Sequence, residues 1–82
     1  MEKAQYLCVK AVHNEVDSLI RDRWRVVVKH HHPEMGLQYY LKHDCAGVIS
    51  IQTNANLTKF SLYKNGVLKK CQNFKSKNGK KD

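Results

Sequence analysis

Hydrophobic and polar positions recur with two different periods along this chain, and the change of period marks the predicted elements. Between residues 4 and 21, apolar side chains recur mostly every three or four positions, which predicts an amphipathic helix. From residue 23 the period becomes two, which is typical of strands with one buried face. Residues 23–31, 37–43 and 48–52 are therefore predicted to be strands, with turn chemistry at residues 33–36.

The segment after the third strand allows two interpretations. Asn65-Gly66 is a strong hairpin signal, but a two-residue turn there mixes apolar and charged side chains on each face of the hairpin. As a helix, the segment gathers its apolar side chains into one stripe, and a glycine inside a helix costs only about 1 kcal/mol relative to alanine. We favour the helix and keep the hairpin as the alternative. The stripe consists of Leu57, Phe60, Tyr63, Val67, Cys71 and Phe74.

These elements predict an α+β fold of order αβββα, with a three-stranded antiparallel sheet and both helices on one face. Residues 1–74 form the predicted domain, and residues 75–82 form a basic disordered tail. The face toward the helices is predicted to carry Trp24, Val26, Val28, Tyr39, Leu41, Ile49 and Ile51. The opposite, open face is predicted to carry Arg23, Arg25, Lys29, His31, Gln38, Tyr40, Lys42, Ser50 and Gln52.

The net charge of the chain indicates that the predicted fold has a binding surface. Fifteen Lys and Arg against seven Asp and Glu give a net charge of +8, which indicates an anionic partner. No stretch approaches the ~18 apolar residues of a membrane-spanning helix, so nucleic acid is favoured over a membrane. Cys8, Cys45 and Cys71 are widely spaced and odd in number. Because the sequence also shows no signal-peptide pattern, the cysteines predict a reduced, cytoplasmic protein.

Several short motifs together resemble one family. They are RVVVKHHH in the first strand, the turn at Gly36, Lys42-x-Asp44, Gln52-Thr53 and Thr58-Lys59-Phe60. In order and spacing they are similar to the 9 kDa Alu-domain proteins of the signal recognition particle, over residues 9–71. The resemblance implies an αβββα fold that joins a larger, similar partner subunit as a heterodimer. The pair would clamp the Alu domain of the particle RNA and support elongation arrest on the ribosome.

The resemblance and the charge pattern lead to one set of candidate RNA contacts. The family's basic positions correspond to Arg23, Arg25, Lys29 and His31 on the first strand, Lys42 on the second and Gln52 on the third. Tyr40 is added because an exposed aromatic ring on a basic sheet is suited to stacking on a base, at ~1–3 kcal/mol. No cofactor and no catalytic activity are expected.

Three alternatives remain. A double-stranded-RNA-binding domain has the same order of elements, but the last helix would start with Asn56-Leu57-Thr58-Lys59 rather than that family's lysine-rich motif. A zinc site would draw on His30, His31, His32, His43, Cys45 and Cys71, although tight ligand pairs are missing. A ribonuclease would need Lys29, His31 and His43 to meet in a pocket.

Overall fold

The computed structural model describes residues 3–74, which form one helix and one five-stranded antiparallel sheet. Helix α1 spans Lys3–Arg21, and the strands are β1 (Arg25–His32), β2 (Gly36–His43), β3 (Gly47–Thr53), β4 (Lys59–Lys64) and β5 (Val67–Asn73). The strands lie side by side in chain order. The predicted tail, residues 75–82, lies outside the described residues.

Helix α1 confirms the helix predicted from the sequence, and it ends in a Schellman motif. The residues that it buries are Ala4, Cys8, Val12 and Val16. At its end, the N–H of Trp24 donates to the carbonyl of Leu19 at 2.9 Å, and the N–H of Arg23 donates to that of Ile20 at 3.1 Å. Arg23 adopts the left-handed conformation, with φ 74°. Arg23 therefore belongs to the helix end and not to the first strand.

The core lies between α1 and one face of the three inner strands. It is formed by Cys8, Val12, Val16, Trp24, Tyr39, Leu41, Ile49, Ile51, Phe60 and Leu62. The edge strands β1 and β5 are exposed along almost their whole length. Within residues 3–74, no helix has the length and apolar character needed to span a membrane.

The predicted second helix is wrong, because β4 and β5 form a hairpin about Asn65-Gly66. Both residues adopt the left-handed conformation, with φ 52° and 84°, as a tight hairpin turn requires. The predicted αβββα order, the three-stranded sheet and the placement of both helices on one face are corrected with it: the protein is α+β, with one helix and five strands.

The objection to a hairpin was its mixture of apolar and charged side chains, and the position of β5 removes that objection. Phe60 and Leu62 of β4 enter the core, whereas every residue of β5 is exposed. Charged side chains on β5 therefore require no burial. One of them, Lys70, reaches back across the edge of the sheet to pair with Glu15 of α1.

A β-bulge in β1 corrects the predicted faces of that strand. Val26 lies opposite Leu41, but Val28 lies opposite Tyr40, so Val27 is an extra residue in the ladder. Because directly opposite residues share a face, the alternation reverses after the bulge. Val28 was predicted to face the helix and lies on the open face instead, together with His30. Lys29 and His31 show the opposite change: they lie opposite Tyr39 and Leu37, on the helix side.

Candidate nucleic-acid interface

The face of the sheet that α1 does not cover is called the open face. Its middle is a row of five directly opposed residues, one from each strand, called the central row. The central row consists of Val28, Tyr40, Ser50, Tyr63 and Leu68. Tyr40 and Tyr63 are 41% and 38% exposed. One strand separates them, which places their backbones roughly 10 Å apart. The open face thus presents two tyrosine rings on either side of a serine.

Cations flank the central row, and the strands carry no opposing charge. The basic residues of the five described strands are Arg25, Lys29, Lys42, Lys59, Lys64, Lys69 and Lys70, and these strands contain no Asp or Glu. Register places Arg25 and Lys42 on the open face at one side of the row. Lys59 lies on the open face at the other side, because its neighbour Phe60 is buried on the helix face. This arrangement produces a positive surface on both sides of the tyrosines.

The carboxylates of the described residues lie on α1 and in the turns. Asp17 and Lys29 line the same cleft between α1 and β1. Asp44, in the turn between β2 and β3, pairs with Arg25 at 3.1 Å. Both side chains of the Arg25–Asp44 pair are mostly exposed, so the pair adds little stability and opens at low cost.

The structure brings together some of the candidates named from the sequence and separates the others. Arg25, Tyr40, Lys42 and Gln52 share the open face. Lys29 and His31 lie on the opposite side of β1, and Arg23 lies in the turn that closes α1. Three contacts predicted from strict alternation are therefore not on the surface that carries the other four.

Sequence reasoning missed the contribution of β4 to this surface. Lys59, Ser61 and Tyr63 face outward between the buried residues of the strand, whereas the helical interpretation placed Tyr63 on an apolar stripe. The signal was present, since residues 59–64 alternate with period two immediately before Asn65-Gly66.

Beside Tyr63, the open face contains a shallow cleft of about 320 Å³, called the Gln52 cleft. It is lined by Gln52, Thr53, Asn54, Lys59, Ser61 and Tyr63. Local hydrogen bonds hold two of these residues at the end of β3. The Thr53 hydroxyl accepts from the N–H of Leu37 at 2.7 Å and donates to the carbonyl of Asn54. The Asn54 amide oxygen accepts from the N–H groups of Thr58 and Lys59 at 2.9 and 3.2 Å.

Gly36 permits β2 to approach Thr53 and Asn54 closely. It has φ 89°, and a side chain there would lie 2.2 Å from the Thr53 hydroxyl and 2.3 Å from the Asn54 carbonyl oxygen. Only glycine lets β2 start this close to the end of β3. The start of β2 therefore packs directly against two residues that line the Gln52 cleft.

The histidines of the described chain have structural partners or lie apart. His43 Nδ1 accepts from the N–H groups of Cys45 and Ala46 at 3.0 and 3.2 Å, so it organises the turn after β2. His31 lies opposite Leu37, six positions from His43 along β2, or roughly 20 Å. The catalytic trio considered from the sequence does not meet.

The rings of His30 and His32 lie close together, with centroids 5.6 Å apart. Within residues 3–74, no group of three His, Cys, Asp or Glu side chains could hold a metal ion.

Among residues 3–74, the two groups with displaced pKa values lie in the core and away from the open face. Burial raises the pKa of the Cys8 thiol, and a hydrogen bond with the backbone of Lys59 offsets part of this effect. Burial also raises the pKa of Tyr39, with a smaller contribution from the negative charge of Asp17. Cys8 is therefore a protonated, buried thiol at neutral pH and not a nucleophile.

No known protein family matches the chain, and no curated protein or solved structure matches it either. The geometry of the open face therefore carries the functional conclusion.

Proposed function

We propose that the open face binds single-stranded RNA, with bases stacked on Tyr40 and Tyr63 and phosphates held by the cations beside them. The observation that carries the proposal is the central row. It sets two half-exposed tyrosines on one surface, with Arg25 and Lys42 at one side and Lys59 at the other.

Each part of this surface supplies an interaction that single strands use. Tyrosine rings stack on bases of any sequence, at ~1–3 kcal/mol per base, and lysines and arginines neutralise phosphates with release of counterions. A broad sheet with exposed aromatic residues suits unpaired bases that are splayed out. It suits the deep, narrow major groove of an RNA duplex less well.

The absence of carboxylates from the described strands supports an anionic ligand over a protein partner of mixed charge. A chain with net charge +8 also attracts RNA at long range, which speeds association. A cytoplasmic location, in contact with RNA and reducing conditions, remains part of this proposal.

The Alu domain of the signal recognition particle RNA, with a larger partner subunit, remains the particular ligand that the family resemblance implies. The αβββα fold implied by the same resemblance is wrong for this chain. The particle RNA is therefore one probe among several in the test below and not the premise of the proposal.

The test is fluorescence anisotropy with labelled RNA at two salt concentrations. The probes are a mixed-sequence single strand of about a dozen nucleotides, the matching duplex, and a folded Alu-type RNA with and without the larger Alu-domain subunit. Tyr40→Ala and Tyr63→Ala are each expected to weaken single-strand binding by roughly five- to 150-fold, from the stacking energy of one base.

The matched control is Tyr6→Ala, because Tyr6 is a 54% exposed tyrosine on α1. It should bind like the unaltered protein. Trp24, which is 5% exposed, reports by its fluorescence whether each variant remains folded. Unchanged single-strand binding by folded Tyr40→Ala and Tyr63→Ala would overturn the proposal. Preference for the duplex would point instead to double-stranded-RNA binding.

A further inference from the structure

The Gln52 cleft has the composition of a site that reads one base by its edge. Its lining residues supply amides, hydroxyls, one aromatic ring and one cation. Tyr63 provides the face on which a base would stack, and Lys59 lies where a phosphate would follow. Gln52 and Ser61 are directly opposite each other on β3 and β4, so their side chains leave the sheet together beside that ring.

The hydrogen bonds of the cleft separate side chains that build it from side chains that are available to a ligand. Thr53 and Asn54 are engaged by backbone groups, as described above. Within residues 3–74, the amide of Gln52 makes no hydrogen bond to another residue, and Ser61 makes only a long contact of 3.8 Å with the Cys71 sulfur. An amide at the edge of the cleft is therefore left with both its donor and its acceptor.

The chemistry of the available groups selects among the bases. Guanine is most often read by the donors of arginine or lysine, and cytosine by a carboxylate that accepts from its amino group. No arginine or carboxylate lines the cleft, and its one lysine, Lys59, is assigned to the phosphate. Adenine presents an amino donor beside a ring-nitrogen acceptor, which a glutamine amide matches with two hydrogen bonds.

Building on the proposed function, we infer that the Gln52 cleft is an adenine subsite. The base stacks on Tyr63, its amino and ring-nitrogen edge pairs with the Gln52 amide, and its phosphate contacts Lys59. The two tyrosines then have different tasks: Tyr40 binds any base, and Tyr63 binds the base that Gln52 selects.

The test uses four labelled RNAs, each a short uracil tract with one central adenine, guanine, cytosine or uracil. Binding is measured by anisotropy for the full chain, Gln52→Leu and Gln38→Leu. Gln38 is the matched control because it lies directly opposite Gln52 on β2 but does not line the cleft. We expect the unaltered chain and Gln38→Leu to prefer central adenine by at least about fivefold.

Gln52→Leu is expected to bind all four RNAs equally, with the affinity that the unaltered chain has for the uracil tract. Equal binding of the four RNAs by the unaltered chain would overturn the adenine subsite but leave RNA binding intact. Preference for another base would also overturn it, as would loss of the preference in Gln38→Leu. No binding of any RNA would overturn both the subsite and the proposed function.

Discussion

Lys42 and Lys29 provide a test of which face of the sheet the RNA contacts. Strict alternation along β1 and β2 predicts that both lysines lie on one surface. The bulge at Val27 places Lys29 on the helix side instead, in the cleft that Asp17 also lines, while Lys42 stays on the open face. Lys42→Glu and Lys29→Glu change the net charge of the protein equally, so any difference between them reports position.

The size of the effect follows from counterion release. Each phosphate contact to a single strand contributes about 0.7 to the slope of log affinity against log salt. Arg25, Lys42 and Lys59 together therefore predict a slope of about −2. Losing the Lys42 contact should reduce the slope to about −1.4 and, near 0.1 M salt, weaken binding about fivefold, or about 1 kcal/mol.

Lys29→Glu should weaken binding by less than about twofold and leave the slope unchanged, because its charge acts only through the sheet and is screened over about 10 Å at this salt. The assay is anisotropy titration with a single-stranded RNA at four or more salt concentrations. An equal loss of affinity and of slope in the two variants would show that the RNA does not lie on the open face. That result would refute the face assignment drawn from the bulge.

Other predictions concern the rim, the turns and the core. Asp44→Asn removes the carboxylate that pairs with Arg25 and should strengthen RNA binding about two- to threefold by anisotropy; weaker binding would contradict this role. Arg23→Gly relieves a left-handed residue and should stabilise the fold by about 1 kcal/mol in urea unfolding, without changing RNA affinity. Asn65→Ala should destabilise the fold by about 2–3 kcal/mol, because it removes two side-chain hydrogen bonds and replaces a residue that tolerates the left-handed conformation. Asn65→Gly, measured in parallel, should lower the free energy of unfolding by less. Because the folded state raises the pKa of Cys8, the free energy of unfolding should fall as pH rises above about 8.5, and Cys8→Ala should lessen that fall.

The parts of the fold that the sequence predicted are those with an uninterrupted period. The helix, β2 and β3 each repeat one pattern over their length, and all three appear in the structure near their predicted bounds. Burial of one face explains this agreement, since a constant geometry buries a constant set of positions.

The errors occur where one residue shifts the period or where burial gives no guidance. The bulge adds a residue inside Val26–Val28, and three identical side chains contain no sign of which one is extra. Strand β5 is exposed on both faces, so burial does not constrain its order of apolar and charged residues. That order happens to resemble the apolar stripe of a helix. In both cases the backbone conformation determined the local structure, and the hydrophobic pattern did not indicate it.

The candidate site was predictable to the same extent. The prediction placed four candidates on the open face correctly, because β2, β3 and the start of β1 alternate regularly. They are Arg25, Tyr40, Lys42 and Gln52. Tyr63 was missed because its strand was assigned to a helix, although the Asn65-Gly66 turn was recognised. Giving that turn more weight than the stripe would have placed Tyr63 on the sheet.

The chain-ordered arrangement of the strands has a consequence for the time course of folding. Each hairpin can close as soon as its second strand is available, because its contacts are local. Helix α1 precedes all five strands and differs from them, because its buried side packs against residues as distant as Phe60. Part of its apolar side therefore stays exposed until residues 22–60 have been added. Docking of α1 is expected to be the last and slowest step, after the sheet has assembled.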